Sequence, residues 1–275
     1  MRLPAQTKEQ RFEMAAFSPA DIAAVSAFAA SISRDGETPY GKDTVTIPAT
    51  AARLFWEANQ PGAVISFDRS RLEYFNRSKV VPKPLVKAAS DAASKEARFR
   101  LFDVTLKMSQ GKLSVPEWTV EHDRWVKVLH GSESALGRGG LLEMTQADWL
   151  RAQERTAYQF GFSRAYYEDV ANGRYGVPGD DFMADAALNR TRQYADAGRC
   201  TYENTVTENA RDRLGHTHAR RIVASGVNSC PDCIAVAARM WIPIREYPEI
   251  GSDQCRSGCQ CITITGIEGN LIERD

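Results

Sequence analysis

Apolar residues recur along most of this chain at intervals of three, four or seven, the spacing that places them on one side of an α-helix. The clearest run begins near residue 85 and continues to about residue 110. Ala88, Ala92, Phe99, Phe102 and Leu106 share its stripe, and Gly111 stops it. Ser114-Val115-Pro116-Glu117 has the form of a capping box, in which hydroxyl and carboxylate satisfy backbone N–H groups at a helix start. It predicts a second helix with Trp118, Trp125 and Leu129 on the inner face and Gly131 at its end. S-A-L-G-R-G-G, residues 134–140, then reads as a flexible connection. It is not a phosphate loop, because no G-K-[ST] follows. Thr145-Gln146-Ala147-Asp148 caps a third helix that runs to about residue 171, where Asn172-Gly173 is a stop signal. Trp149, Tyr158, Phe160, Phe162, Tyr166 and Tyr167 load it with rings at mixed spacing, which predicts burial on several sides or contact with a partner. A fourth helical segment covers Asp181 to roughly Arg213, with Gly198 as a point where it can break.

The pattern differs at both ends. Ser18-Pro19-Ala20-Asp21 caps an Ala-rich amphipathic helix over about residues 23–33. Residues 34–84 are rich in turn signals, with a short strand predicted at 44–47 and a short helix at 49–59. After His218, R-I-V-A-S, W-I-P-I and I-T-I-T are short and β-favouring, and the last alternates cleanly. The expected fold is therefore mainly α, with long helices followed by a small C-terminal zinc-ribbon-like β module. Three parts follow: an N-terminal helix plus irregular arm (1–84), a helical domain (85–218) and a Cys-rich β module (219–275).

Composition changes this picture little. At 275 residues the chain can bury a substantial core, and 43% hydrophobic with 25% charged residues excludes wholesale disorder. Lys+Arg and Asp+Glu balance at 35 each, so nucleic-acid binding has to rest on a local patch. The opening M-R-L-P-A-Q-T-K-E-Q carries charge and lacks the apolar core of a signal peptide. No stretch is long and apolar enough to span a bilayer. The expected compartment is a reducing cytosol, where structural disulfides are rare.

The cysteines are distributed unevenly: five of six lie between Cys230 and Cys261. Cys230 and Cys233, two residues apart in C-P-D-C, can reach one ion from a tight turn. Cys255, Cys259 and Cys261 offer three further sulfurs. Cys259 and Cys261 would point the same way from an extended chain, with Cys261 opening the I-T-I-T strand. Zinc takes four N or S ligands in a tetrahedron at about 2.0–2.3 Å. A structural zinc site is the expected chemistry, and the spacing leaves open which thiols complete it. Its binding free energy, roughly 10–16 kcal/mol, would organise a tail too short and too weakly apolar to hold together by burial. The competing readings are disulfides, if the protein works outside the cell or in a released particle, a redox C-x-x-C, for which the thioredoxin-like context is missing, and unpaired, incidental thiols. His216 or His218 can offer a ligand, although helix-end exposure is the plainer reading of both. Cys200 stands apart and reads as a buried apolar residue.

Other chemistry is sparse. H-E-x-x-H, G-x-S-x-G and the Rossmann fingerprint do not occur. Glu121-His122-Asp123 has no nucleophile beside it and reads as a solvated helix face. Asp180-Asp181 reads as a helix start. Arg190, Arg192, Arg199, Arg211, Arg213, Arg220 and Arg221 form a basic run interleaved with acids. That run is expected to be a solvated helical surface, with a phosphate-facing patch as the alternative.

C-P-D-C, W-I-P-I and E-I-G-S-D-Q-C-R-S-G-C-Q-C-I-T-I, in that order, resemble the C-terminal signature of tailed-bacteriophage head-morphogenesis proteins. These are minor head proteins, often encoded beside the portal. S-A-L-G-R-G-G-L-L-E-M-T-Q-A-D-W, Q-G-K-L-S-V-P-E-W and R-T-R-Q-Y-A-D-A are also similar to stretches of such proteins, so the likeness spans roughly residues 85–265. Many members have His-Pro before the final C-x-C. Arg256-Ser257 stand there in this chain, preceded by Cys255, which can take the place of the histidine. The resemblance implies a non-catalytic component of the virion or prohead, present in the host cytoplasm during assembly and binding portal, scaffold or coat protein. The rivals are a phage protein that contacts DNA through residues 211–221 during packaging or ejection, and an enzyme of nuclease or redox type.

Overall fold

Both predicted capping boxes form. The Ser114 hydroxyl accepts from Glu117 N, and Glu117 Oε2 accepts in return from Ser114 N at 2.8 Å. Thr145 and Asp148 make the same exchange at the next long helix. The computed structural model describes residues 7–32, 65–223, 230–252, 258–269 and 271. The strand expected at 44–47 and the helix expected at 49–59 lie outside them. Among the described residues the elements run α1 (Lys8–Met14), α2 (Pro19–Ile32), β1 (Ile65–Asp68), β2 (Glu73–Asn76), β3 (Lys79–Val80), α3 (Lys83–Ser109), α4 (Val115–Arg138), α5 (Gln146–Ala171), α6 (Ala184–Leu214), β4 (His218–Ile222), α7 (Pro231–Ala238), β5 (Ile242–Pro243) and β6 (Ile262–Gly266). The protein is mainly helical with a small C-terminal strand region, as its sequence pattern predicts.

The long helices α3, α4 and α6 pack against one another, and α5 lies against α4. The buried side of α3 is not the predicted stripe. It is Val86, Ala89, Ala93, Ala97, Leu101, Val104 and Met108, while of the predicted set only Ala92 is fully buried. Small residues on that side let neighbouring backbones come close, and the larger Phe99, Phe102 and Leu106 sit at the margins.

Glycines play the same part. Gly131 does not end α4, and Gly198 does not break α6. A Cβ on Gly131 would lie 2.8 Å from Phe17 and Val25, and one on Gly198 would lie 2.8 Å from Leu129. Both mark close packing inside a continuous helix. Residues 134–138, expected as a flexible connection, are the buried last turn of α4. The helix stops at Gly139, whose φ of 103° is the left-handed cap conformation. Arg138 in that turn is 2% exposed and paired with Asp148 at 2.6 Å and Asp212 at 2.8 Å, which ties α4, α5 and α6 together.

The arm expected to be irregular carries a three-stranded antiparallel sheet, β1-β2-β3, with Ser66 opposite Phe75. Ile65, Tyr74 and Val81 join the core of α3 and α4, and the Tyr74 hydroxyl donates to Leu136 O at 2.7 Å. The second sheet has the order β5-β4-β6, with Ala219 opposite both Ile242 and Thr265. It rests on α6 through β6.

Candidate metal centre

C-P-D-C forms the N-terminus of α7. Cys230 is the N-cap, Pro231 takes the first helical position, where its missing N–H costs nothing, and Cys233 follows one turn in. The Cys230 sulfur accepts from Cys233 N at 3.4 Å. This puts the Cys233 thiol, 1% exposed, on the inner side of the turn. Cys259 and Cys261, each 2% exposed, arrive from the segment leading into β6.

Two buried arginines hold these segments in place. Arg199 of α6 donates to Cys259 O at 2.8 Å, Gln260 O at 3.0 Å and Gln260 Oε1 at 3.1 Å, fixing the C-Q-C backbone on the helix. Arg221 of β4 donates to Pro248 O, to Tyr247 Oη at 3.3 Å and to Cys233 Sγ at 3.5 Å. Asn204 grips the intervening loop, donating to Ile250 O at 3.1 Å and accepting from Ile250 N at 2.8 Å.

The result is a sulfur cluster. The Sγ atoms of Cys233, Cys259 and Cys261 lie within 4.8 Å of one another, and those of Cys233 and Cys259 are 3.7 Å apart. Four thiolates about 2.3 Å from a central ion in a tetrahedron are separated by roughly 3.8 Å, so this spacing fits such an ion. No disulfide joins one described cysteine to another. Cys230 borders the same cluster and Cys200 lies within its apolar surround. Cys255 lies outside the described residues. The cluster can therefore hold a metal ion through Cys233, Cys259 and Cys261, with Cys230 beside them.

The histidines are elsewhere. His216 Nδ1 is 2.7 Å from Thr265 Oγ1, and His218 lies on β4 with Nδ1 3.0 Å from Thr217 Oγ1. Among the described residues no histidine or carboxylate joins the three-thiol group. The basic run is not a uniform solvated surface either. Arg199 and Arg221 face inward at the cluster, and Arg213 donates to Glu143 at 2.9 Å. Arg190 and Arg192 stay on the outside of α6.

The reading of Glu121-His122-Asp123 as a solvated face holds for Glu121, which lies partly exposed beside Arg124, and is corrected for His122 and Asp123. His122 is fully buried among Trp118, Tyr166, Tyr167 and Tyr194, and burial lowers its pKa to about 3. The Tyr167 hydroxyl donates to Asp123 Oδ1 at 2.6 Å and lies 2.7 Å from His122 Nδ1. Burial pushes Asp123 up to about 6. The trio is a polar staple between α4 and α5, and the aromatic surroundings of α5 were its available signal. A cleft of about 500 Å³ opens between α5, α6 and residues 248–252. Its arginines are engaged: Arg155 with Glu208 at 2.7 Å and Arg151 with Asp212 at 2.8 Å.

No protein-family model, curated protein sequence or solved structure matches the chain.

Proposed function

We propose that this protein is a structural component of a tailed-phage head, acting in head morphogenesis through contacts with portal, scaffold or coat protein, and that a zinc ion pins its C-terminal module. The observation that carries the metal half is the triple of buried sulfurs within 4.8 Å of one another, one pair of them at 3.7 Å. Thiolate-rich ligand sets suit zinc, and closure of these three sulfurs by a fourth would make the site structural, since catalysis needs an open coordination position. The assembly half draws on the ordered C-P-D-C, W-I-P-I and C-Q-C likeness and on the way the cluster is built. Its C-Q-C segment is bound to α6 by Arg199 and its Cys233 turn to β4 by Arg221, so a loaded metal would tie the tail to the long helices.

The two halves have separate tests. Metal analysis of the purified chain should find close to one zinc per molecule, lost on chelation together with protease resistance after residue 219. Zinc-free protein with an unaltered tail would remove the metal half. Purified particles should contain the chain in a few copies, and infection without it should leave heads that fail to mature. Its absence from particles and proheads would remove the assembly half.

A further inference from the structure

Arg221 is 1% exposed. Two of its nitrogens meet neutral acceptors, Tyr247 Oη and Pro248 O, and the guanidinium also lies 5.3 Å from the centre of the Tyr247 ring. Nη1 meets the Cys233 sulfur. Metal binding deprotonates cysteine, so a loaded site turns that sulfur into a thiolate and the contact into a charge-assisted N–H···S bond. Tyr247 is held in turn by Thr263 of β6, with Oη and Oγ1 2.9 Å apart, so the arginine is braced from the strand that follows Cys261.

We infer that Arg221 is a positioning residue of the metal centre, aiming the Cys233 sulfur and compensating the negative charge of an all-thiolate ligand set with Cys230 as fourth ligand. This rests on the metal reading above. A divalent ion with four thiolates carries a net charge of −2. Three of those sulfurs are 1–2% exposed and Cys230 is half-buried, so a cation in contact offsets the buried negative charge, and Arg221 supplies it. A histidine-containing set would carry less charge, and no described histidine reaches the group. Cys230 borders the cluster from the same helical turn as Cys233, its sulfur outside the group of three that lie within 4.8 Å of one another, so taking the fourth position requires that sulfur to move inward on loading. Groups in contact with metal ligands commonly change metal affinity by about 10–100-fold when removed.

The test uses the full chain with zinc or cobalt(II) alone, in wild type, Arg221→Lys, Arg221→Met and Cys230→Ser. Zinc affinity is read by competition with a chromophoric chelator. Cobalt spectra report thiolate number through the intensity of sulfur-to-cobalt charge transfer, and the N–H···S bond through its energy. Wild type should give a tetrahedral four-thiolate spectrum. Arg221→Met should weaken zinc binding about 10–100-fold and move the charge-transfer band to lower energy, with Arg221→Lys in between. Cys230→Ser should reduce the intensity by about a quarter. Arg221→Met with wild-type affinity and an unmoved band overturns the role of Arg221. Should that variant not fold, Arg221→Lys with an unmoved band does the same. Full intensity in Cys230→Ser overturns the ligand assignment. Wild type that binds neither ion overturns the metal reading beneath both.

Discussion

Glu133 has 0% exposure, inside the contact of α3, α4 and α6. Ser90 Oγ is 2.7 Å from one of its oxygens and Ser94 Oγ 3.2 Å from the other. Burial is the main force raising its pKa from 4.5 to about 8, and the nearby acids Asp91 and Glu203 add to it against the two serines. The folded protein therefore keeps a proton that the unfolded chain releases, and linkage fixes the sign. Its contribution to stability is fully present below about pH 4.5, declines as pH rises toward about 8, and is flat beyond. At about 1.4 kcal/mol per pH unit, that interval sets a ceiling of ~5 kcal/mol. Glu133→Gln keeps the shape and removes the titration. Urea unfolding of wild type and Glu133→Gln, followed by helical circular dichroism from pH 5 to pH 9, isolates the group with its two coupled acids, Asp91 and Glu203, because the remaining carboxylates cancel in the difference. The variant should lie within about 1 kcal/mol of wild type at pH 5 and gain on it by several kcal/mol by pH 9. A difference that stays constant across this range would refute the claim that Glu133 is buried as the neutral acid.

Four other outcomes are expected. Cys233→Ser should leave the helical signal of α3 to α6 nearly unchanged while the tail after residue 219 becomes protease-sensitive; loss of the whole helical signal would contradict this, as would full resistance. Arg138→Met removes one of the two cations shared by Asp148 and Asp212, which keep Arg151, and losing its charge-assisted hydrogen bonds should cost about 1.5–3 kcal/mol in urea unfolding. Gly198→Ala places a methyl 2.8 Å from Leu129 and should cost about 1–3 kcal/mol. A gain of about 0.5–1 kcal/mol, normal for glycine to alanine in an open helix, would contradict close packing there. Tyr167→Phe removes the hydroxyl between His122 and Asp123 and should cost about 1–3 kcal/mol in thermal or urea unfolding, whereas a solvated Asp123 would make it neutral.

The sequence was most legible where local chemistry decides the outcome. Ser114-Glu117 and Thr145-Asp148 satisfy their own N–H groups, so those helix starts need no tertiary information. C-P-D-C likewise builds its own turn. Illegible were the features whose meaning lies in what packs against them. Gly131 and Gly198 read as stops because glycine in isolation weakens a helix, yet here the missing Cβ is what admits Phe17, Val25 and Leu129. Arg138 read as part of a flexible connection because three glycines surround it, and His122 as surface because polarity is usually solvated. Their burial depends on Asp148, Asp212 and Tyr167, partners 10 to 74 residues away, which no periodicity links to them. The same holds at the cluster, where spacing named the sulfurs and not the arginines that frame them. Arg199 and Arg221 are 8% and 1% exposed and come from α6 and β4, so the site is assembled between helical body and tail. A metal bound there is coupled to the orientation of α6 as well as to the fold of the tail. Loading should accordingly slow amide exchange along the Arg199–Asn204 stretch of α6 and not only after residue 230, and slowing confined to the tail would show that the two parts are uncoupled.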